Sequence, residues 1–258
     1  MSSSAPIAWT IAGSDSGGGA GIQADLKVMS AFRVHGCSIT TALTAQNTCG
    51  VLKTEPVSES MLRAQFLALE TDLLPAAIKT GMLGSAGTCR IVAEFFQSLD
   101  VPIVCDPVLK STSGTDLLSP EAFEILIRDI FPKITVLTPN LPETEKLIGK
   151  FKTAEEAAGR ILELGVESVL IKGGHADGAE CRDYWTNGFD SLWLASPRIN
   201  TKATHGTGCI LSSAIASAIA LGQNIPKAVT KAKAFLDHCL QNPAHAGEGQ
   251  GPMMIQPL

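Results

Sequence analysis

The sequence lacks most of the features by which several function classes are recognised. No two of its seven cysteines stand in C-x-x-C spacing, and the number is odd. That argues against a structural zinc site and a disulfide framework, and a reducing, cytoplasmic compartment is expected. Basic residues are not in excess: 20 Lys plus Arg stand against 25 Asp plus Glu, a net charge of −5, with no basic stripe. Nucleic acid is therefore not the expected partner. The opening stretch MSSSAPIAWTIAGSD has no Lys or Arg ahead of its apolar run, unlike a secretory signal. No apolar run is long enough to span a bilayer. The Walker pattern G-x-x-x-x-G-K-[ST] is missing, which removes that kind of nucleotide loop. Low-complexity linkers and internal repeats are missing too.

What is present is a well-mixed chain of 258 residues, 45% apolar and 17% charged, enough to bury a sizeable core. Short β-branched runs alternate with amphipathic segments. IAWTIAG, SITTALTA, AAIKTG, VPIVCDP, ITVLTPN and ESVLIKGG read as strands. GIQADLKVMSAF reads as a helix with Ile22, Leu26, Met29 and Phe32 on its inner side. SESMLRAQFLALETDLL opens on a serine cap, and SPEAFEILIRDIF has Ser119 as cap and Pro120 at its first position. AGTCRIVAEFFQSL and TAEEAAGRILELG are further helices. A hairpin is expected around Asn187 and Gly188, and two Ala-rich helices close the chain. This alternation predicts an α/β sandwich in three layers, a mostly parallel sheet with helices on both faces, as one domain over residues 1–258. In such folds ligands bind beyond the carboxyl ends of the strands.

The residues at those ends carry the chemistry. After the first strand comes GSDSGGGAGIQAD, in which GAGIQA fits the loose dinucleotide pattern G-x-G-x-x-A. No acidic residue follows about 20 positions later, where a ribose partner would stand. A tight turn that lets backbone approach a ligand fits better, with a purely packing loop as the plain alternative. HGTGC, His205 to Cys209, is the stronger anion site: its glycines let N–H groups converge, and the helix behind it adds the positive end of its dipole. Asp106, Asn140, Glu143 and Lys172 also follow strands. Singly they read as a turn residue, a helix cap, a first-turn acid and a lysine. Together, beside an anion site, they suggest nucleoside triphosphate chemistry with Mg²⁺.

In order along the chain stand TIAGSDSGGGAGIQADLK, TALTAQNT, IKTGML, DPV, TPNLPE, KGGH and HGTGC. This set resembles the hydroxymethylpyrimidine and phosphomethylpyrimidine kinases of thiamine biosynthesis, in the ribokinase-like superfamily. The resemblance runs from about Ile7 to GEGQGP, nearly the whole chain. Many ribokinase-like kinases have Asp where this sequence has Cys209, which points to the pyrimidine and pyridoxal-type branch. The resemblance implies ATP and Mg²⁺ as cofactors and two successive phosphorylations, of 4-amino-5-hydroxymethyl-2-methylpyrimidine and of its monophosphate. It implies that Gln46 reads the pyrimidine, that Gly13 and Ala20 belong to the loop nearing the substrate, and that Met82 and Val108 are apolar walls. Asp106, Asn140 and Glu143 match the metal and phosphate region, with Asp106 and Glu143 toward the metal. Lys172, Asn140 and Thr207 match nucleotide contacts, and Gly206, Thr207 and Gly208 the anion hole. Cys209 is expected to be a catalytic base with its pKa lowered by the helix. His205 is expected to anchor the loop, with a catalytic base as the alternative, and Asp25 to serve loop or helix architecture. The related kinases have a lysine just before Ser-Gly where this chain has Thr112, and Lys110 lies two residues earlier. The expected partners are small molecules, with no nucleic acid and no membrane, and a homodimer is an allowed assembly. Pyridoxal kinase is the nearest rival activity. A non-catalytic pyrimidine sensor and a cysteine hydrolase built on Cys209 are rivals of other classes.

Overall fold

The computed structural model describes residues 5–109, 118–174 and 178–257; Lys110 and Thr112 lie outside the described residues. The strands are β1 (Ile7–Asp15), β2 (His35–Asn47), β3 (Gly50–Pro56), β4 (Ala77–Thr80), β5 (Ile103–Cys105), β6 (Val136–Leu137), β7 (Val169–Ile171), β8 (Glu180–Thr186) and β9 (Ser191–Pro197). They form one sheet of nine strands in the order β3-β2-β1-β4-β5-β6-β7-β8-β9. Pairing from β2 through β1 to β7 is parallel, and β3, β8 and β9 add antiparallel margins.

The central strands are apolar on both faces because helices cover both. Trp9, Ile11, Ile78, Ile103 and Leu137 face one layer. That layer holds α2 (Glu59–Glu70), α3 (Ala86–Ser98), α4 (Pro120–Ile125), α5 (Leu141–Ile148) and α6 (Ala154–Leu162). Ala8, Val104, Val136 and Leu170 face the other, made by α1 (Gly21–Ala31), α7 (Thr207–Ala220) and α8 (Ile225–Gln241). Fully buried side chains such as Phe66, edge-on to Trp9 and stacked on Phe95, each contribute about 1.5–3 kcal/mol. The expected three-layer sandwich is therefore the observed one.

Local signals acted as expected at most helix starts. Ser58, Ser119 and Thr153 accept hydrogen bonds from Met61, Ala122 and Glu156 N–H groups. Four details differ. The buried side of α1 is Ala24, Asp25, Val28 and Met29, with Ile22 and Leu26 only half-buried, because α7 packs beside the helix as well as the sheet. β2 runs on to Asn47 and turns back into β3, whose residues are all exposed and so carry no apolar alternation. The expected helix from Ser119 loosens into a wider turn over Leu126–Ile130 and a tight one over Phe131–Lys133, where Pro132 has no N–H to offer. The hairpin at Asn187 has a four-residue loop, Asn187 to Asp190, held by the Asn187 side chain accepting from the Phe189 and Asp190 N–H groups.

Of the cysteines, Cys37, Cys89, Cys105 and Cys239 are buried as small apolar residues, whereas Cys49 is exposed and Cys181 half-buried. Trp185 packs into the α7–α8 side of the sheet. Trp193 lies against Tyr184 with Arg182 over its ring. Among the described residues, no helix is long and apolar enough to cross a membrane.

Candidate active site

Because β1, β4, β5, β6 and β7 are parallel, their carboxyl ends open on one edge of the sheet. The ladder continues past the strands there: Asp106 N–H donates to Thr80, and Lys172 N–H to Pro139. Asn140 and Lys172 therefore lie side by side as a parallel bridge. Three expected residues meet at this edge. Lys172 Nζ is 2.8 Å from Asp106 Oδ1 and 3.9 Å from Glu143 Oε2. Burial alone would push the Lys172 ammonium down, but Asp106 and then Glu143 outweigh it and hold it above the usual lysine value. Burial pushes Glu143 up; Lys172 opposes this and Asp106 adds to it.

Asn140 and Glu143 also form a reciprocal cap on α5. Asn140 Oδ1 accepts from Glu143 N–H and Glu143 Oε2 accepts from Asn140 N–H, each at 2.8 Å. The plain readings of both residues therefore hold. The expectation of Asn140 as a nucleotide contact narrows to its NH₂ end, since its oxygen is committed to the cap. Val108, expected as an apolar wall, is half-buried with φ +40°, a strained conformation for a β-branched residue.

The glycine-rich loop after β1 is organised from within by Asp15. Its carboxylate accepts from the Gly17, Gly19 and Ala20 N–H groups at 2.8, 3.0 and 2.8 Å, and it lies 2.9 Å from His205 Nε2. Burial would raise the Asp15 carboxyl, but His205, Gln46 and the loop amides together hold it well below the usual carboxylate range. His205 is thus the loop anchor expected of it. Ala20 caps α1 in an extended conformation. Gln46 sits within β2 at a bulge opposite β3, not in a loop after the strand. Its backbone clasps the Ser16 hydroxyl, accepting from it at 2.7 Å and donating to it at 2.8 Å, and its side chain reaches Asp15. A side chain at Gly13 would lie 2.6 Å from the Met82 methyl, so these two expected substrate neighbours are in contact.

The two glycine loops meet at Gly206. It begins α7 with φ +87°, and a side chain there would run into the Gly19 carbonyl. No side chain caps α7; the Thr207 N–H donates to the Thr204 carbonyl, and the Gly208 and Cys209 N–H groups are left for another acceptor. Residues 205–209 are half-buried. A side chain at Gly208 would come within 2.6 Å of Asp106 Oδ2 and 3.4 Å of Lys172 Nζ. The absence of one sets the Asp106–Lys172 pair against the helix start. Gly208, Asp106, Lys172 and Glu143 are therefore gathered beside the start of α7, and the Asp15 loop joins it through Gly206 against Gly19 and His205 against Asp15.

Cys209 departs from expectation. Burial pushes its thiol up to about 11; Lys79 and the Gly21 N–H oppose this, while Asp25 and Asp106 add to it. The helix start does not make a thiolate near neutral pH, because the low-dielectric surroundings and two nearby carboxylates outweigh it. Asp25 is fully buried in the helix architecture, as expected. Sequence reasoning missed its partner, Lys79, at 2.7 Å. It also missed the segment near the end of the chain, where Gly249 N–H donates to Thr48 and Gly251 accepts from His205 N–H.

Known proteins share the family and the fold of this chain. A family model described as phosphomethylpyrimidine kinase matches residues 15–254. The hydroxymethylpyrimidine/phosphomethylpyrimidine kinase of Rhizobium meliloti is 43% identical over 254 residues, covering 96% of each chain. The thiamine biosynthesis bifunctional protein of Geobacter sulfurreducens is 40% identical over 249 residues, covering 95% of this chain and 51% of that one. Among solved structures, the phosphomethylpyrimidine kinase of Clostridium difficile matches with a TM-score of 0.80 at 39% identity, over 90% of this chain and 98% of that one. The pyridoxal kinase of Staphylococcus aureus in complex with ADP matches with a TM-score of 0.89 at 32% identity, over 98% and 94%. The chain, a three-layer α/β sandwich with two glycine loops meeting over a Lys–carboxylate cluster, belongs to the phosphomethylpyrimidine kinase family.

Proposed function

We infer that the protein transfers the γ-phosphoryl group of ATP to the hydroxymethyl group of 4-amino-5-hydroxymethyl-2-methylpyrimidine, and then to the resulting monophosphate. The observation that carries this reading is the uncapped start of α7 set directly against Asp106, Lys172 and Glu143. N–H groups of the Gly206–Cys209 turn are placed to stabilise charge on the phosphoryl oxygens, more in the transition state than in ATP. Lys172 supplies a fixed positive charge on the nucleotide side, and family membership together with the ADP-bound neighbour supports ATP as donor. Gln46 presents an amide, donor and acceptor both, to an aminopyrimidine edge. Gly13 and Met82 form the apolar side of the acceptor pocket.

The residues present fit Mg²⁺. Among the described residues no cluster of three or more His, Cys, Asp or Glu side chains could cage a metal alone. Two carboxylates beside a phosphate site suit an ion that takes few protein ligands and fills its shell with phosphate oxygens and water. Asp106 and Glu143 would hold it, directly or through water, and it would neutralise charge on the triphosphate.

For the first acceptor, an alcohol, the thiolate form of Cys209, a small fraction near neutral pH, takes the hydroxyl proton; the second acceptor is already anionic and needs no strong base. ATP consumption with the hydroxymethylpyrimidine, its phosphate, pyridoxal and pyridoxine tests the whole reading. Turnover of both pyrimidines ahead of both pyridines is expected. Faster turnover of pyridoxal would replace this reading with the pyridoxal kinase one, and turnover of none would leave a binding module.

A further inference from the structure

Close to Cys209, whose thiol both groups influence, lies an ion pair that takes no direct part in the transfer. Asp25 of α1 and Lys79 of β4 are both fully buried, 2.7 Å apart. The same carboxylate accepts from Thr10 of β1 and from Ser213 of α7, each at 2.6 Å. Asp25 stands one turn into α1, the helix that the first glycine loop opens. Ser213 stands four residues after Cys209, on the same face of α7. One carboxylate therefore ties together the two helices whose starts carry the two glycine loops, and fastens both to the middle of the sheet.

A buried pair of this kind is weak evidence for stability. Replacing both partners by apolar residues of similar volume is often neutral or stabilising, while removing one strands the other charge. The close seat of Gly206 on the Gly19 carbonyl, by contrast, requires α1 and α7 to hold one mutual register. A displacement of about 1 Å at a reacting centre can cost about 10²-fold in rate.

We propose that Asp25 and Lys79 are positioning residues: through Thr10 and Ser213 they hold the start of α7 in register against the Gly13–Gly21 loop, and so aim the amides of the anion turn. This rests on the functional reading above. The test is the double apolar variant Asp25→Leu/Lys79→Met, which leaves no unpaired charge. Its Tm is expected to be no lower than that of the parent protein. Its kcat with the hydroxymethylpyrimidine is expected to fall by about 10-fold or more, with KM for ATP within about 3-fold. Amide hydrogen exchange at Ile210, whose N–H closes the first turn of α7 on Gly206, is expected to quicken by about 10-fold. A purely structural pair would give the opposite pattern, a lower Tm with kcat intact, and that result overturns the proposal. Unchanged exchange at Ile210 overturns it as well. Exchange needs no turnover, so a parent protein inactive on the pyrimidine would sink the functional reading while this measurement still judges the clamp. Should the double variant not fold, Ser213→Ala removes only the link to α7. It should slow kcat by about 3-fold or more and quicken the same exchange, and no change in either would overturn the proposal.

Discussion

At Cys209 two effects compete, and burial wins. A helix start favours a thiolate, yet enclosure with Asp25 and Asp106 nearby pushes the thiol up to about 11. Below that value only a small fraction is ionised, and the fraction grows with pH. If the thiolate accepts the hydroxyl proton, kcat/KM for the alcohol acceptor should climb with pH from neutrality upward, while the phosphate acceptor stays nearly flat. Cys209→Ala should lower the alcohol reaction by about 10²-fold and abolish the climb. A climb that survives in the alanine variant would take the base away from Cys209. Gln46 makes a separate prediction. Its side chain reaches Asp15 and lies at the β2 bulge. Gln46→Ala should raise KM for the pyrimidine by about 10-fold while ATP saturation barely moves. An unchanged pyrimidine KM would show that another residue reads the ring.

Among the elements, strand ends and helix starts carry the site. Asp106 follows β5, and Glu143 stands in the first turn of α5, held by the cap it forms with Asn140. Activity should disappear on chelation of divalent metal and return with added Mg²⁺. Asp106→Asn and Glu143→Gln should each demand more Mg²⁺ for the same rate. Full activity of both variants at ordinary Mg²⁺ would rule these carboxylates out as its holders. The start of α7 depends on Gly206, whose left-handed φ of +87° and contact with the Gly19 carbonyl leave no room for a side chain. Gly206→Ala should destabilise the protein by about 1–3 kcal/mol through strain alone. It should also reduce kcat by about 10²-fold, because the two loops are forced apart. Calorimetry and initial rates on the same preparation check both, and a variant with the parent Tm would show that the loops can yield there.

Across the whole molecule, one pH effect is built into the junction of the loops. The Asp15 carboxyl lies well below its unfolded value, since His205, Gln46 and the loop amides outweigh the cost of burial. A carboxyl depressed on folding stabilises the protein above its unfolded pKa, and that contribution is lost as pH falls through the folded one. Asp15→Asn should therefore be less stable than the parent protein near neutral pH. The gap should narrow on acidification below about pH 4, as the parent loses the same contribution. Chemical denaturation across that range measures it, and a gap independent of pH would mean that the carboxylate charge is not what holds the loop. ATP should raise the Tm in proportion to its affinity, by mass action on the folded state.

The sequence by itself determined the layers and most of the elements. Continuous apolar strands, Ser and Thr caps and helical periodicity are local signals, and they act through neighbours within a few residues. The grouping of Asp106, Glu143 and Lys172 was legible too, because parallel strands send every strand end to one edge. β3 was not legible, since an exposed edge strand buries no face and leaves no alternation to read. Only the tertiary structure decided which of two roles each polar residue takes. It spent the Asn140 oxygen on a cap, and it turned Asp15 inward as the centre of its own loop. It paired Asp25 with Lys79 across 54 residues and half-buried Cys209 close to both. Hydrogen bonds and pKa values depend on distance and dielectric in three dimensions, and neither is written in the spacing of residues along the chain.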